Sequence, residues 1–260
     1  MEEKEEGKIR INKYLSAAGV CSRREADRQI VAGNVRIGDA VAQIGDLVMP
    51  DMPIYYQGRL VEAEEEPILL VVNKPKGIVC TAQKKEKDNI VDFLHYPKRI
   101  YPIGRLDKQS EGLILMTNKG DFVNKIMRSG NRHEKEYLVT VHKTASDSFL
   151  RALAEGVPIL DTMTRKCRVE RIGKRSFRMV LTQGMNRQIR RMCEYFDYRV
   201  VSLKRVRIMN IRLGDLPTGA YRKVTPEELK RLEQLLENSS NDTVRFDSSA
   251  IDQQLWEEEE

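Results

Sequence analysis

The run Ile68-Leu69-Leu70-Val71-Val72, broken at once by Asn73-Lys74-Pro75, constrains this chain more than any other stretch. Five apolar residues in succession, with no polar alternation, fit a strand covered on both faces. Pro75 has no amide proton to give to a ladder, so the strand stops there. The chain must therefore bury a sheet between two apolar layers. Further strands are expected at Leu113–Met116, Tyr137–Val141, Phe177–Leu181 and Val206–Leu213, with helices at about 121–129 and 146–155. These elements do not alternate regularly, which argues against a doubly wound parallel sheet. An α+β domain with a mixed, mostly antiparallel sheet fits better. The last helix is strongly signalled, because Thr225-Pro226-Glu227-Glu228 joins an N-cap, a proline at N1 and a capping box. Leu229, Leu232, Leu235 and Leu236 form its expected apolar stripe, ending near Asn238.

Upstream, a smaller unit is expected at residues 10–62. Ile11, Leu15 and Ala18 recur at helical spacing until Gly19, and Ser22 opens a capping box with Glu25 for a second helix that Gly33-Asn34 closes. Short strands follow at Val35–Ile37, Val41, Leu47-Val48 and Ile54–Tyr56, with a turn at Gly58-Arg59. The acidic stretch to Pro67 reads as a linker at 63–67, and the remainder as a larger domain at 68–238. Residues 1–9 and 239–260 are polar and acidic, the composition of disordered segments.

Charge narrows the partner. Residues 241–260 carry seven acids and one arginine, and residues 2–6 four acids and one lysine. With a net charge of +6 overall, the stretch from 7 to 240 holds fifteen surplus cations. Such an excess favours a polyanion, since each contacted phosphate releases counterions. No apolar run is long enough to span a bilayer, and the opening residues lack a signal-peptide pattern. Cys21, Cys80, Cys167 and Cys193 form no Cys-x-x-Cys pair, and three scattered histidines suggest no metal site. A cytoplasmic protein without disulfides or metal is expected.

Two segments have the residues for chemistry. In Ile103-Gly104-Arg105-Leu106-Asp107-Lys108-Gln109-Ser110-Glu111-Gly112, an acid sits between two cations in a glycine-flanked loop. Neighbouring cations favour the ionised carboxylate, which suits a nucleophile or base, although Asp also serves turns. In Gln183–Cys193, Asn186 is placed to cap a helix with Ile189, Cys193 and Phe196 on one face and Arg187, Arg190, Arg191 and Glu194 on the other. That arrangement suits phosphate or a catalytic carboxylate, or simply a solvated basic face.

The segment NKYLSAAGVCSRREADRQIVAGNVRIG resembles the S4 RNA-binding domain. Behind it, NKPKGIVC, YPIGRLDKQSEGLILMTNKGD, HEKEYLVTV and QGMNRQIRRMCEYF follow in the order seen in RNA pseudouridine synthases. The branch is that of the small-subunit ribosomal RNA synthase A and its large-subunit relatives, and the wording is nearest to the F-type large-subunit enzymes. Some of those end in a long basic tail, whereas this chain ends in an acidic one.

The resemblance implies roles for individual residues. Asp107 matches the catalytic nucleophile or base, Tyr137 the tyrosine that stacks on the uracil, and Arg190 the basic partner that orients the aspartate. Arg105 matches the arginine that holds the flipped nucleotide, and Ile189 the aliphatic residue near the base. Arg187 and Lys74 are expected to contact substrate as well, and Lys13, Arg23, Arg24 and Arg28 to present the S4 unit to RNA. No cofactor or metal is implied, because isomerising uridine moves no electrons or groups off the molecule. The expected partner is large-subunit (23S) ribosomal RNA, bound by a monomer. Small-subunit RNA or a tRNA anticodon stem-loop are alternatives, as is a non-catalytic ribosome-assembly factor.

Overall fold

The computed structural model describes residues 7–62, 66–83, 85–127 and 132–237. The segments 1–6 and 239–260, and residues 63–65 of the expected linker, lie outside the described residues.

The first unit contains β1 (Ile9–Arg10), α1 (Ile11–Ala17), α2 (Arg23–Val31), β2 (Val35–Ile37), β3 (Ala40–Val41), β4 (Leu47–Val48), β5 (Ile54–Tyr56) and β6 (Arg59–Leu60). Ile11, Leu15, Ala26, Ile30, Val35, Val48 and Ile54 form its core. Ile9 pairs with Val48, so a boundary at residue 10 would cut this ladder. Ser22 caps α2 through the Glu25 amide, but the reciprocal half of the expected capping box is missing. The Glu25 carboxylate goes to Arg28 and Gln29 instead. The expected Gly58-Arg59 turn is one residue late: Gln57 and Gly58 take left-handed φ values and Arg59 already belongs to β6.

The second unit follows as β7 (Leu69–Lys74), α3 (Ile90–Leu94), β8 (Tyr101–Ile103), β9 (Glu111–Thr117), α4 (Gly120–Met127), β10 (Lys135–Val141) and α5 (Asp147–Glu155). Then come β11 (Pro158–Ile159), β12 (Thr162–Met163), β13 (Arg168–Gly173), β14 (Ser176–Leu181), α6 (Gln188–Glu194), β15 (Val200–Ile208), β16 (Ile211–Arg212), β17 (Tyr221–Lys223) and α7 (Pro226–Leu236). One nine-stranded sheet runs β13-β14-β10-β15-β9-β7-β17, with β16 on β15 and β8 on β9. Its pairs are antiparallel except β9 with β15, which are parallel through Glu111–Lys204 and Gly112–Arg205.

β7 is buried at every position. Leu70 and Val72 face one apolar layer with Ile114, Val139 and Phe177, while Leu69 and Val71 face the other with Leu113, Leu115, Ile208 and Leu232. The expectation of a strand covered on both sides therefore holds. α7 has the full capping box and proline at its first turn. Its buried stripe is Leu232 and Leu236, with Leu229 beside them. Leu235 is exposed and does not belong to it.

One expected strand spans a reversal of the chain. Val206–Leu213 is the end of β15, a turn at Met209-Asn210 with Met209 at φ 52°, and β16. Charged residues at inward positions of β15, Arg205 above all, hide the alternation that would mark its true start at Val200.

The two units touch. Arg99 donates to the Ser16 carbonyl, and Lys13 pairs with Asp121 at 3.2 Å. Among the described residues, no helix is long and apolar enough to cross a membrane.

Candidate active site

The parallel pair β9–β15 is a seam between two half-sheets, and the chemistry-bearing side chains converge on it. Asp107 lies in the loop from β8 to β9. That loop is held from below by the segment after β7: Gly77 N–H donates to the Lys108 carbonyl at 2.8 Å, and Leu106 N–H reaches the Cys80 thiol at 3.4 Å. The loop rejoins the sheet at Gly112, where φ is +103° and an added Cβ would lie 2.3 Å from the Arg205 carbonyl oxygen. Only glycine lets the two strands approach this closely.

Lys74 is part of the same support. It is fully buried, and its ammonium donates to the carbonyls of Pro75, Ile78 and Lys108. The sequence expectation for it is a substrate contact, and the structure shows its ammonium turned to protein carbonyls. Its three donors are spent on main chain beneath the Asp107 loop, and desolvation lowers its pKa from the ordinary lysine value.

From the other half-sheet, α6 brings Arg190 across the seam. Its Nε lies 3.5 Å from Asp107 Oδ2, and its Nη2 donates to the Gln109 carbonyl at 3.3 Å and Ser110 Oγ at 3.2 Å. Nη1 reaches the Val200 carbonyl. Ser110, fully buried, donates in turn to Asp107 Oδ2 at 3.4 Å. Arg190 is 9% exposed, so it does not share a solvated face with Arg187 as the helical spacing suggests. The helix also starts differently. Its N-cap is Arg187 at φ 45°, without a side-chain cap, while the Asn186 amide oxygen accepts from Arg191. The Met185 amide donates to the Gln188 side chain at 3.1 Å, which closes the turn leading into the helix.

Tyr137 and Arg205 are cross-strand partners on β10 and β15. Arg205 is 3% exposed, and its guanidinium lies 6.0 Å from the Tyr137 ring centroid. Its Nε donates to the Leu113 carbonyl at 2.7 Å and its Nη1 to the Arg105 carbonyl at 3.4 Å, so one side chain ties the tyrosine to both ends of the Asp107 loop. Two residues from Tyr137, on the same face of β10, Lys135 is 6% exposed. Burial first, and the charge of Arg205 second, push its pKa down to about 8.

Of the remaining expected residues, Ile189 is buried in the same core cluster as Tyr137, while Arg105 and Arg187 are exposed. Lys13, Arg23, Arg24 and Arg28 are exposed on α1 and α2, with Arg28 engaged by Glu25. Sequence reasoning missed Ser110, Lys135 and Arg205. The available signal was a cation at an inward strand position: Arg205 lies two residues after buried Leu203, and Lys135 two before Tyr137.

Residues 68–195 match the RNA pseudouridylate synthase family and residues 9–53 the S4 domain. The dual-specificity RNA pseudouridine synthase RluF of Escherichia coli is 53% identical over 236 residues, covering 90% of this chain and 81% of that protein. The chain belongs to the RNA pseudouridine synthases. The synthase is also 35% identical to the ribosomal large subunit pseudouridine synthase B of Bacillus subtilis, over 89% of its own length and 98% of the relative's. A crystal structure of a pseudouridylate synthase superposes with a TM-score of 0.64 at 27% identity, covering 86% of the synthase and 99% of that chain. The synthase is thus an isomerase of RNA, and the seam with Asp107, Arg190 and Tyr137 lies within its catalytic domain.

Proposed function

We propose that the synthase isomerises a particular uridine of large-subunit ribosomal RNA, with Asp107 acting on the ribose, Tyr137 stacking on the base and Arg190 aiming the carboxylate. The observation that carries this reading is the Asp107 carboxylate held across the seam by Arg190 at 3.5 Å, on a loop that Arg205 ties to Tyr137. The names of the Escherichia coli and Bacillus subtilis relatives support RNA and the large subunit as substrate.

The reaction breaks the N1–C1′ bond, turns the uracil, forms C5–C1′ and transfers the C5 proton away while N1 gains one. Asp107 serves either by attacking the ribose or by taking a ribose proton. The target base must leave its stack, at about a few kcal/mol. Phosphate contacts from the exposed arginines of the S4 domain and from Arg105 and Arg187 offset that cost. The detached uracil is retained by stacking against Tyr137. The reaction runs in a monomer in the cytoplasm.

Tritium release from C5-labelled uridine in ribosomal RNA is the direct test. A non-catalytic assembly factor releases none. Mapping pseudouridines in ribosomal and transfer RNA with and without the gene names the site. It also shows whether the dual specificity in the relative's name extends to this chain.

A further inference from the structure

The site holds more buried positive charge than its own carboxylates explain. Lys74, Lys135, Arg190 and Arg205 are each under a tenth exposed. Facing them are Asp107, which Arg190 engages, and the partly buried Glu111, which accepts from Ser202. Glu136, the buried acid on β10, sits at the opposite-facing position and is taken by Arg207 and Arg178. Among the described residues, neither Arg205 nor Lys135 has an acidic partner. Arg205 Nη2 is buried without any hydrogen-bond acceptor. Two cations side by side in a low-dielectric site repel one another and lose hydration, and an anion that arrives during the reaction relieves both.

We propose that Arg205 and Lys135 form a cationic wall behind Tyr137 that stabilises the negative charge the uracil gains when its glycosidic bond breaks. This inference rests on the isomerase reading. Cleavage of N1–C1′ leaves the bonding pair on N1, from which it delocalises onto the uracil carbonyl oxygens. C5 attack on C1′ consumes that charge, loss of the C5 proton restores it, and protonation of N1 ends it. A base stacked on Tyr137 brings that charge within reach of the guanidinium, which lies 6.0 Å from the ring centroid. Neither residue touches the reacting atoms; both act through the field across the ring, fixed in place before the reaction starts. At roughly 9 Å and an effective dielectric constant of about 20, one unit charge on each side changes the rate on the order of twentyfold.

The experiment measures single-turnover rates at saturating enzyme for Lys135→Met, Arg205→Met and Arg205→Lys on RNA with uridine or 5-fluorouridine at the target. Fluorine at C5 makes the base a more stable anion, and it cannot leave as a proton, so its consumption reads cleavage and rejoining. The expected result is a loss of about tenfold or more for either methionine variant on uridine RNA, shrinking to a few-fold on 5-fluorouridine RNA. Arg205→Lys should recover part of the rate. RNA affinity and its salt dependence should stay at the wild-type values. Circular dichroism reports folding; if Arg205→Met does not fold, Lys135→Met and Arg205→Lys carry the comparison.

Equal losses on both substrates would overturn the proposal in favour of a purely structural role. Weaker binding with a shallower salt slope and an unchanged saturated rate would overturn it in favour of a phosphate contact. A wild-type enzyme that turns over neither RNA would sink the isomerase reading itself, and the inference with it.

Discussion

Gly112→Ala probes the seam at its tightest point. At this position φ is +103°, and the new methyl would lie 2.3 Å from the Arg205 oxygen and 2.8 Å from its nitrogen. Both atoms are main chain in a paired strand, so neither can swing aside. A side chain in this backbone region costs about 1–3 kcal/mol. Forcing β9 and β15 apart adds about 1–3 kcal/mol of overpacking. The combined loss, on the order of 4 kcal/mol, lowers the melting temperature of a domain this size by roughly 8–16 °C. Gly214→Ala is the internal control, since φ is +58° there and nothing lies within 4 Å of the added Cβ. It should lose about 1 kcal/mol from strain alone. Displacing the Arg205 main chain also moves the guanidinium that anchors Arg105 and Leu113, so turnover should fall about 100-fold. Calorimetry of all three proteins and tritium release at saturating RNA provide the two readings. Equal melting temperatures for the two variants, with full turnover in Gly112→Ala, would refute the argument from close approach.

Asp107→Asn should abolish tritium release while filter binding shows near-normal RNA affinity, because phosphate contacts elsewhere dominate binding. Arg190→Met should reduce the saturated single-turnover rate about 100-fold without weakening the complex, because it frees the Asp107 carboxylate from its aiming contact; an undiminished rate would remove Arg190 from the mechanism. Arg23→Ala with Arg24→Ala should reduce the slope of log affinity against log salt by about 2 if both meet phosphate, read by titration at several salt concentrations. Lys135→Met should stabilise the fold while slowing the reaction. The lysine pKa falls from 10.5 unfolded to about 8 folded, a penalty of about 3 kcal/mol that is fully present below pH 8. Between about pH 8 and 10.5 the native lysine loses its proton while the unfolded one keeps it, so wild-type stability rises and the variant's advantage should fade in urea titrations.

Much of the fold was legible where one signal dominated. The unbroken apolar run of β7, the capping box of α7 and the serine cap of α2 each stand in the chain without competition from a neighbour. β13 is different: it is an edge strand, RVERIG, with no residue fully buried, so it has no inward face for alternation to mark. Asn186 has the right chemistry for an N-cap, yet its amide oxygen accepts from Arg191 and Arg187, in the left-handed region, stands at the cap instead. At the site, the Asp107 loop was recognisable because glycine brackets it and cations flank it. Arg205 was not, because a buried cation in a strand looks like a break in the hydrophobic pattern. The tertiary contact that makes it meaningful comes from a loop 100 residues away in the chain.

The two half-sheets also set the order in which the enzyme becomes an enzyme. One half contains β8, β9 and the Asp107 loop but needs β17, at Tyr221–Lys223, to cover the far edge of β7. The other contains Tyr137, Arg190 and Arg205, and its last sheet strand ends at Arg212. They meet through two residue pairs about 93 positions apart in the chain. Contacts of such long range cost more loop-closure entropy than the local hairpins on either side. Carboxylate and tyrosine are therefore brought together only once β15 has joined β9, and a chain still being synthesised holds both residues without holding a site. Assembly and catalysis coincide at this seam: a molecule that can isomerise a uridine has, by that fact, joined its two half-sheets.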